Sequence, residues 1–348
     1  MSALPATMRA VVYHEPRKVS VEARPVPALG PRDVLIEVSH CGICGTDLHL
    51  VLEGMGVPGS IGGHEYAGRV AALGIEVEGW APGARVVGGP GASCGSCAPC
   101  RAGRPSICTG RGAIGMGGFQ GAFAEYAKVG VDQLLAVPEG LGLREAALAE
   151  PLAVALHALT LSRVAPGERV LVTGAGPLGL LVVAALRARG VDDVRVSEPR
   201  LPRRARAGKV GATRLLEPMD LAAPTMPFDF VDDPVDVVFE CSGAREAIEG
   251  GLAQLARMGR LVLVGTGLGR PRLDHHRVLL NELVVTGAYC YDEGGMGEAL
   301  ALLAAGRLPT DELIEPTDLP LEDLYEALCG LERGEVTRKV MIVPKEPR

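Results

Sequence analysis

Four cysteines lie close together in a glycine-rich part of the chain with the spacing C-x2-C-x2-C-x7-C. They are Cys94, Cys97, Cys100 and Cys108. This spacing lets one loop surround a tetrahedral metal, and four thiolates suit zinc, which binds sulfur at about 2.3 Å. Because four protein ligands leave no open position, we expect this zinc to stabilise a lobe rather than to take part in a reaction.

Two alternative roles are less favoured for these cysteines. The first is that they are free or form disulfide bonds. Disulfides need an oxidising compartment, but the N-terminal sequence lacks the charged-then-apolar pattern of a secretory signal. An iron–sulfur cluster is the other, but the ferredoxin run that opens C-x2-C-x2-C continues as C-x3-C-P, which this loop does not. The spacing therefore favours a structural zinc.

A second set of metal-binding residue types lies nearer the N-terminus. Cys44 opens the run C-G-T-D-L-H, and His64 and Glu65 follow about twenty residues later. A thiolate, an imidazole and a carboxylate brought to one point would hold zinc and leave one position for water or a substrate. This set therefore predicts a catalytic zinc.

A glycine-rich turn follows the apolar stretch 169–173. Its sequence is G-A-G-P-L-G, in which Gly174, Gly176 and Gly179 occupy the glycine positions of a dinucleotide-binding motif and enclose Pro177 and Leu178. The first glycine makes the turn, the second lets a pyrophosphate approach the backbone, and the third lets helix and strand pack closely. The pattern indicates a nicotinamide dinucleotide site.

Glu198 strengthens this interpretation, because it lies 24 residues after Gly174, where an acidic residue receives the ribose hydroxyls. A carboxylate there repels a 2′-phosphate, so the sequence favours NAD over NADP. Several cations follow it, and Arg203 is expected to lie along the adenosine. The remaining cations are interpreted as a solvated helix face.

The elements that position these residues fall into two patterns. From Met8 to Ala136, short apolar runs are broken every eight to twelve residues by Gly, Pro or Asp, which predicts an irregular β-rich domain. From 169 onward, strands alternate with helices predicted at Pro177–Arg189, Pro202–Val210 and Arg245–Arg257, which predicts a doubly wound parallel sheet. The segment 143–164 is helical apart from Pro151. We expect an α/β protein with domains at 1–151 and 152–292, and a tail at 293–348 that returns to the first domain.

Composition excludes several classes of function. The chain has 348 residues, a formal net charge of −7 and 47% hydrophobic residues, so it is expected to form two ordinary domains. An acidic chain lacks the basic face that nucleic acid or an anionic membrane requires. No apolar stretch is long enough to span a bilayer. A cytoplasmic protein that binds a small molecule is expected.

Taken together, the motifs resemble those of the zinc-dependent medium-chain alcohol and polyol dehydrogenases, in the same order and over nearly the whole chain. The sorbitol, threonine and butanediol dehydrogenase group is the most similar branch. The motifs are G-I-C-G-T-D-L-H at 42–49, G-G-H-E at 62–65, the four-cysteine loop, A-E-P-L at 149–152, the glycine turn and E-C-S-G at 240–243.

The resemblance implies a GroES-like catalytic domain and a Rossmann domain. It also implies that Cys44 and His64 bind the catalytic zinc, with Glu65 as a ligand or close neighbour. Alcohol dehydrogenases of the Cys2His type have a cysteine near this point of the chain. This chain instead has Glu150, and sorbitol dehydrogenases also have a glutamate there. Glu150 is therefore expected at or beside the metal, and whether it or Glu65 completes the ligand shell stays open.

Further roles follow from the same resemblance. Asp47 would hydrogen-bond the imidazole of His64, and Thr46 would contact the substrate hydroxyl. A proton relay would then run from Thr46 to His49, as general acid–base chemistry in a closed pocket requires.

The expected function is reversible, NAD-dependent oxidation of a secondary alcohol or polyol to a ketone. The expected cofactors are NAD and two zinc ions per chain, one catalytic and one structural. A homo-oligomer, either a tetramer or a dimer, is also implied. Two alternatives are a zinc-free quinone or enoyl reductase on the same fold, and a non-catalytic dinucleotide sensor.

Overall fold

The computed structural model describes residues 4–89, 93–110, 120–222, 224–292 and 294–345. The chain divides into two compact units. The first comprises Met1–Glu150, Asp292–Gly306 and Ile314–Arg348, and the second comprises Pro151–Tyr291 and Arg307–Leu313. The short segment Arg307–Leu313 thus clusters with the second unit, although it lies in the tail that the sequence pattern groups with the first domain.

Strands occur in both units, and the first unit is rich in them as expected. In chain order they are β1 Thr7–Glu15, β2 Lys18–Pro25, β3 Asp33–Gly42, β4 Glu65–Leu73, β5 Arg85–Gly88, β6 Tyr126–Gly130, β7 Leu134–Ala136, β8 Arg169–Thr173, β9 Asp193–Ser197, β10 Arg214–Leu216, β11 Val235–Glu240, β12 Leu255–Leu263, β13 Val284–Gly287 and β14 Met341–Ile342.

The helices are α1 Gly45–Val51, α2 Ala98–Arg101, α3 Leu143–Ala146, α4 Ala149–Ser162, α5 Pro177–Ala188, α6 Leu201–Val210, α7 Arg245–Ala253, α8 His275–Leu280, α9 Gly295–Ala304, α10 Thr310–Leu313 and α11 Leu324–Arg333. Short 3₁₀ turns lie at Pro105–Ile107, Val131–Gln133, Pro218–Asp220 and Leu321–Asp323. Across the described ranges, none of these helices combines the length and the apolar character that crossing a membrane requires.

The first unit is built on an antiparallel sheet. Its strands follow the order β14-β3-β4-β5-β7, β6 pairs with the first half of β3 outside this order, and β1 and β2 form a separate hairpin. The core contains apolar residues of these strands, among them Ile36, Val38 and Val70. Consecutive residues such as Val34, Leu35 and Ile36 are buried, so β3 is covered on both faces there. The sheet brings the end of β3 beside the start of β4, because Gly42 pairs with Glu65.

The second unit is a six-stranded parallel sheet with the order β10-β9-β8-β11-β12-β13. The strand order reverses between β8 and β11, and in sheets of this kind ligands bind outside the carboxyl ends at that point. The glycine turn follows β8, and the E-C-S-G run begins at the end of β11. The expected doubly wound α/β fold is confirmed.

Two predicted helical segments differ from the structure, and one strand was not predicted. The helix expected at Arg245–Arg257 ends at Ala253, because Leu255 enters β12 and pairs with Val235. Two adjacent glycines also weaken the end of that helix. The helical segment 143–164 forms two helices, and Pro151 lies in the first turn of α4, where a missing N–H costs little. Strand β10 is present although the sequence pattern did not predict it.

Candidate functional site

Helix α1 positions the first group of predicted site residues. Cys44 is its N-cap, and the backbone N–H of Cys44 donates to Asp47 Oδ2 at 2.9 Å. The other oxygen of Asp47 accepts a longer bond, 3.4 Å, from the N–H of Gly63. The buried carboxylate of Asp47 therefore connects the start of α1 to the loop before β4 and brings Cys44 near His64.

The donor atoms of Cys44, His64 and Glu65 lie within 4.8 Å of one another. His64 and Glu65 are buried, and Cys44 is partly buried. Among the described residues, His64 Nδ1 is buried without a hydrogen-bond partner, whereas Glu65 Oε2 has Lys339 Nζ 2.7 Å away. Buried polar atoms without partners are rare in proteins. A sulfur, a nitrogen and an oxygen at this spacing fit zinc.

Asp47 is close to His64 without forming a hydrogen bond to it. The distance from His64 Nδ1 to Asp47 Oδ1 is 3.7 Å, which is longer than a hydrogen bond. Burial lowers the pKa of His64, but the charges of Asp47 and Cys44 outweigh it, and the pKa is raised overall. Burial raises the pKa of Asp47 itself. The two side chains thus interact through charge.

Glu150 lies in the first turn of α4 and faces the same group of residues. Burial raises its pKa to about 7, and the nearby charges of His64 and Glu65 act in opposite directions on it. It is not part of the donor group of Cys44, His64 and Glu65 that lies within 4.8 Å. The structure therefore brings Glu65 into the metal-binding group and leaves Glu150 beside it.

Lys339 is a site residue that the sequence pattern did not predict. Its Nζ donates to Ile43 O at 2.9 Å and to Glu65 Oε1 at 2.7 Å, and it lies equally close to Glu65 Oε2. Burial lowers the pKa of Lys339, but the charge of Glu65 outweighs it, and the pKa is raised. The one sequence signal is a lysine in the apolar run K-V-M-I-V.

Thr46 and His49 lie on α1 next to the donor group. Thr46 Oγ1 is 3.7 Å from Cys44 Sγ. His49 Nδ1 is 2.6 Å from Glu53 Oε2, four residues later. The side chain of His49 is 16% exposed and that of Glu53 is 34% exposed. Glu53 was likewise not predicted as a site residue.

The four predicted cysteines of the second metal group are also brought together. The donor atoms of Cys94, Cys97, Cys100 and Cys108 lie within 4.8 Å of one another. Backbone N–H groups point at the sulfurs: Cys97 N is 3.3 Å from Cys94 Sγ, and Gly110 N is 3.3 Å from Cys108 Sγ. Hydrogen bonds from the backbone of Ser96 and Cys97 lower the pKa of Cys94 to about 5. Four thiols with N–H donors fit a tetrahedral thiolate site.

In the second unit, the glycine turn has the backbone that the motif requires. Gly174 has φ of +90°, and a Cβ there would lie 2.8 Å from Ser242 Cβ. A Cβ on Gly179 would lie 2.0 Å from Gly174 O, whereas one on Gly176 would meet no atom within 4 Å. Pro177 and Leu178 begin α5 and are partly exposed. The turn is tightly packed behind Gly174 and Gly179 and open at Gly176, as a pyrophosphate site requires.

Glu198 is bonded to this turn. Its Oε2 accepts a bond from Ala175 N at 2.8 Å, and its Oε1 accepts one from Arg200 N at 2.9 Å. Burial lowers the pKa of Arg203, which lies near Glu198. Arg204 donates to the carbonyl oxygen of Glu198 at 2.7 Å and pairs with Glu217. Arg204 thus has a structural role, while Glu198 and Arg203 border the turn.

Comparison with known proteins identifies two matching regions. Residues 30–139 match the alcohol dehydrogenase GroES-like domain, and residues 177–305 match the zinc-binding dehydrogenase domain. Sorbitol dehydrogenase of Bacillus subtilis is 33% identical, with 98% of each chain covered. L-threonine 3-dehydrogenase of Pyrococcus horikoshii is 35% identical, over 92% of this chain and 93% of that protein.

Solved structures agree with these matches. A protein described as a zinc-binding dehydrogenase from Sinorhizobium meliloti 1021, bound to NADP, superposes with a TM-score of 0.86 at 32% identity, covering 98% of this chain and all of that one. The 2R,3R-butanediol dehydrogenase of Bacillus subtilis gives a TM-score of 0.84 at 28% identity, covering 97% of this chain and 100% of that one.

Proposed function

This chain belongs to the zinc-dependent medium-chain alcohol and polyol dehydrogenases, oxidoreductases that act on CH–OH groups, and we propose that it oxidises a secondary alcohol or polyol reversibly to a ketone with NAD. The observation that carries this proposal is the convergence of Cys44, His64 and Glu65 within 4.8 Å. The open glycine turn at the reversal of the parallel sheet supports the cofactor assignment.

The first metal site is assigned to Cys44, His64 and Glu65, with Glu150 beside them. A zinc ion held there would supply Lewis-acid chemistry, lowering the pKa of an alcohol hydroxyl and polarising a ketone carbonyl. The mutual approach of a sulfur, a nitrogen and an oxygen donor supports this assignment. Lys339 holds Glu65 in place, and Asp47 supplies negative charge next to the imidazole.

Three side chains have proposed roles around the reacting hydroxyl. Thr46 contacts the substrate oxygen and passes on its proton, and His49 accepts the proton at the outer end of the relay. Both side chains can donate and accept hydrogen bonds, which a relay requires. Asp47 orients the imidazole of His64 by charge.

A second zinc is assigned to Cys94, Cys97, Cys100 and Cys108. Backbone N–H groups directed at the sulfurs of Cys94 and Cys108 favour the thiolate form of these two cysteines. Such a site stabilises its loop and has no free position for a substrate. We therefore propose two zinc ions per chain with different roles.

NAD is proposed as the cofactor in preference to NADP. Glu198 borders the glycine turn, where a carboxylate accepts ribose hydroxyls and repels a 2′-phosphate. Arg203 is assigned to the adenosine. The relative from Sinorhizobium meliloti is bound to NADP, so the preference of this chain for NAD over NADP must be tested by experiment.

We also propose a homo-oligomer, a dimer or a tetramer, in the cytoplasm. Strand β13 forms an edge of the parallel sheet, and Val284 on it is exposed together with Leu279 and Leu280 of α8. An exposed apolar edge favours pairing with a second copy. The nine cysteines of this chain would remain thiols in a reducing compartment such as the cytoplasm.

The experiment that tests the proposed function is a panel of linear, cyclic and polyhydroxy alcohols, scored by formation of NADH or NADPH. We expect turnover of secondary alcohols with NAD, and no turnover by the Cys44→Ser variant. Quinones and enoyl compounds with reduced cofactor form the comparison panel. Activity confined to that panel, or cofactor binding without any turnover, would contradict the proposal.

A further inference from the structure

The imidazole of His49 forms a short contact with the carboxylate of Glu53. His49 Nδ1 and Glu53 Oε2 are 2.6 Å apart. Resting on the proposed function, in which His49 accepts the alcohol proton, we propose that Glu53 is a positioning residue that holds the imidazole of His49 with its proton on Nδ1, so that Nε2 is the nitrogen that accepts.

The chemistry of the two groups leads to this arrangement. A neutral imidazole has one N–H donor and one acceptor nitrogen, and an ionised carboxylate can only accept. A short bond to Glu53 therefore requires the proton on Nδ1 and leaves the lone pair on Nε2. When Nε2 takes the proton of the alcohol, an N–H bond forms, the O–H bond breaks, and its electron pair stays on oxygen. The resulting imidazolium lies next to a carboxylate that stabilises its positive charge.

The backbone around Glu53 makes its position well defined. Leu52 N donates to Leu48 O at 2.7 Å, and Met55 N donates to His49 O at 3.2 Å. These bonds continue the turn beyond the last residue of α1 and place Glu53 one helical turn after His49. Residues four apart on a helix lie on the same side, so the contact follows from the local fold.

The exposure of the side chains gives the proton a route to water. Asp47 is buried, His49 is 16% exposed and Glu53 is 34% exposed. The imidazolium formed at His49 then gives one proton to water, and loss of the proton from Nε2 restores the neutral imidazole with its proton on Nδ1. Within the described ranges, the His–carboxylate distances at His14, His40 and His64 are 2.9, 3.4 and 3.7 Å, so the pair at His49 is the shortest.

The variant Glu53→Leu tests the proposal in the zinc-loaded protein. Histidine-selective ¹⁵N labelling with NMR reports which nitrogen of neutral His49 carries the proton. We expect the wild-type proton on Nδ1 and a shift toward Nε2 in the variant. We also expect kcat to fall about tenfold, equivalent to about 1.4 kcal/mol, with KM for NAD unchanged. Glu53→Asp, which keeps the carboxylate, should recover part of kcat.

The matched control is Glu22→Leu, which removes the carboxylate next to His14 and should leave His49 and kcat unchanged. The proposal requires both the tautomer shift and the loss of kcat, so the absence of either overturns the role of Glu53. A wild-type chain that oxidises no alcohol would contradict the proposed function instead, and this role with it. A pair with no positioning role would leave both the tautomer of His49 and kcat unchanged when Glu53 is replaced.

Discussion

Lys339, close to the C-terminus, places its Nζ 2.7 Å from both carboxylate oxygens of Glu65. The side chains are 4% and 1% exposed, so the pair is shielded from water. Removing one member of a buried pair leaves the other charge without compensation. If zinc binds at the proposed site, Glu65 would face two cations, and the lysine would compete with the metal for its carboxylate.

Lys339→Met should consequently destabilise the metal-free protein more than the metal-loaded protein. In the metal-free protein we expect a loss of about 3–5 kcal/mol in the free energy of unfolding, because Glu65 stays buried and charged. In the loaded protein the loss should be smaller and zinc should bind more tightly, as measured by urea unfolding and chelator competition. Lys345→Met removes the exposed pair with Glu37 and should cost less than about 1 kcal/mol in both states. Equal losses in the two states would contradict this role.

Glu150→Gln should change how the stability of the metal-free protein depends on pH. Burial raises the pKa of Glu150 from 4.5 to about 7. Between these values the folded protein retains a proton that the unfolded chain has lost, so wild-type stability falls as pH rises. The glutamine variant cannot ionise and should gain up to about 3 kcal/mol over wild type across that range.

Urea unfolding in the presence of a chelator, measured from pH 4.5 to above 7, checks this expectation. Exposed Glu139 provides the control, since Glu139→Gln should follow the wild-type curve. A constant difference between Glu150→Gln and wild type over the whole range would show that the carboxyl does not titrate there.

Two glycines of the same turn should respond differently to a methyl group. Gly174→Ala introduces a side chain at φ of +90° and against Ser242, so it should destabilise the second unit by more than about 1 kcal/mol. Gly176→Ala meets no atom within 4 Å and has an ordinary φ of −70°. It should leave stability unchanged and weaken NADH binding at least about tenfold, because the methyl group occupies the path of the pyrophosphate. Fluorescence titration and urea unfolding separate the two effects, and unchanged NADH affinity in Gly176→Ala would exclude this turn as the phosphate site.

Glu198→Ala should reduce the preference for NAD over NADP. The variant removes the carboxylate that repels a 2′-phosphate and also its bonds to Ala175 N and Arg200 N. We expect the ratio of kcat/KM for the two cofactors to move toward NADP by about tenfold or more, chiefly through a higher KM for NAD. Asp192, exposed in the same unit, provides the control Asp192→Ala with an unchanged ratio. An unchanged ratio in Glu198→Ala would place the determinant elsewhere.

The two metal groups should separate by phenotype. Cys44→Ser should abolish turnover and leave the unfolding transition nearly unchanged, whereas Cys100→Ser should destabilise the protein, since structural zinc contributes to folding. Metal analysis should give about two zinc ions in wild type and about one in each variant. Reversed phenotypes would show that the two sites are interchanged.

The sequence by itself determined the parts of this protein that depend on neighbouring residues. The four-cysteine spacing, the glycine turn and the α1 run from Cys44 to His49 each lie within about fifteen residues, and their chemistry follows from spacing alone. The parallel sheet was predictable for the same reason, because strand and helix periods are local properties. The bounds of α7 were not, because pairing of Leu255 with Val235 overrides helix propensity.

Only the tertiary structure decided which carboxylate joins the donor group. Glu65 and Glu150 are equivalent as residue types, and the difference between them arises from the strand pair of Gly42 with Glu65 and from Lys339, which is 274 residues away in sequence. No local pattern reports such a contact, because antiparallel pairing brings together segments whose separation along the chain is arbitrary. Composition and motifs specify which chemistry is available, and the packing of distant strands specifies which side chains carry it out.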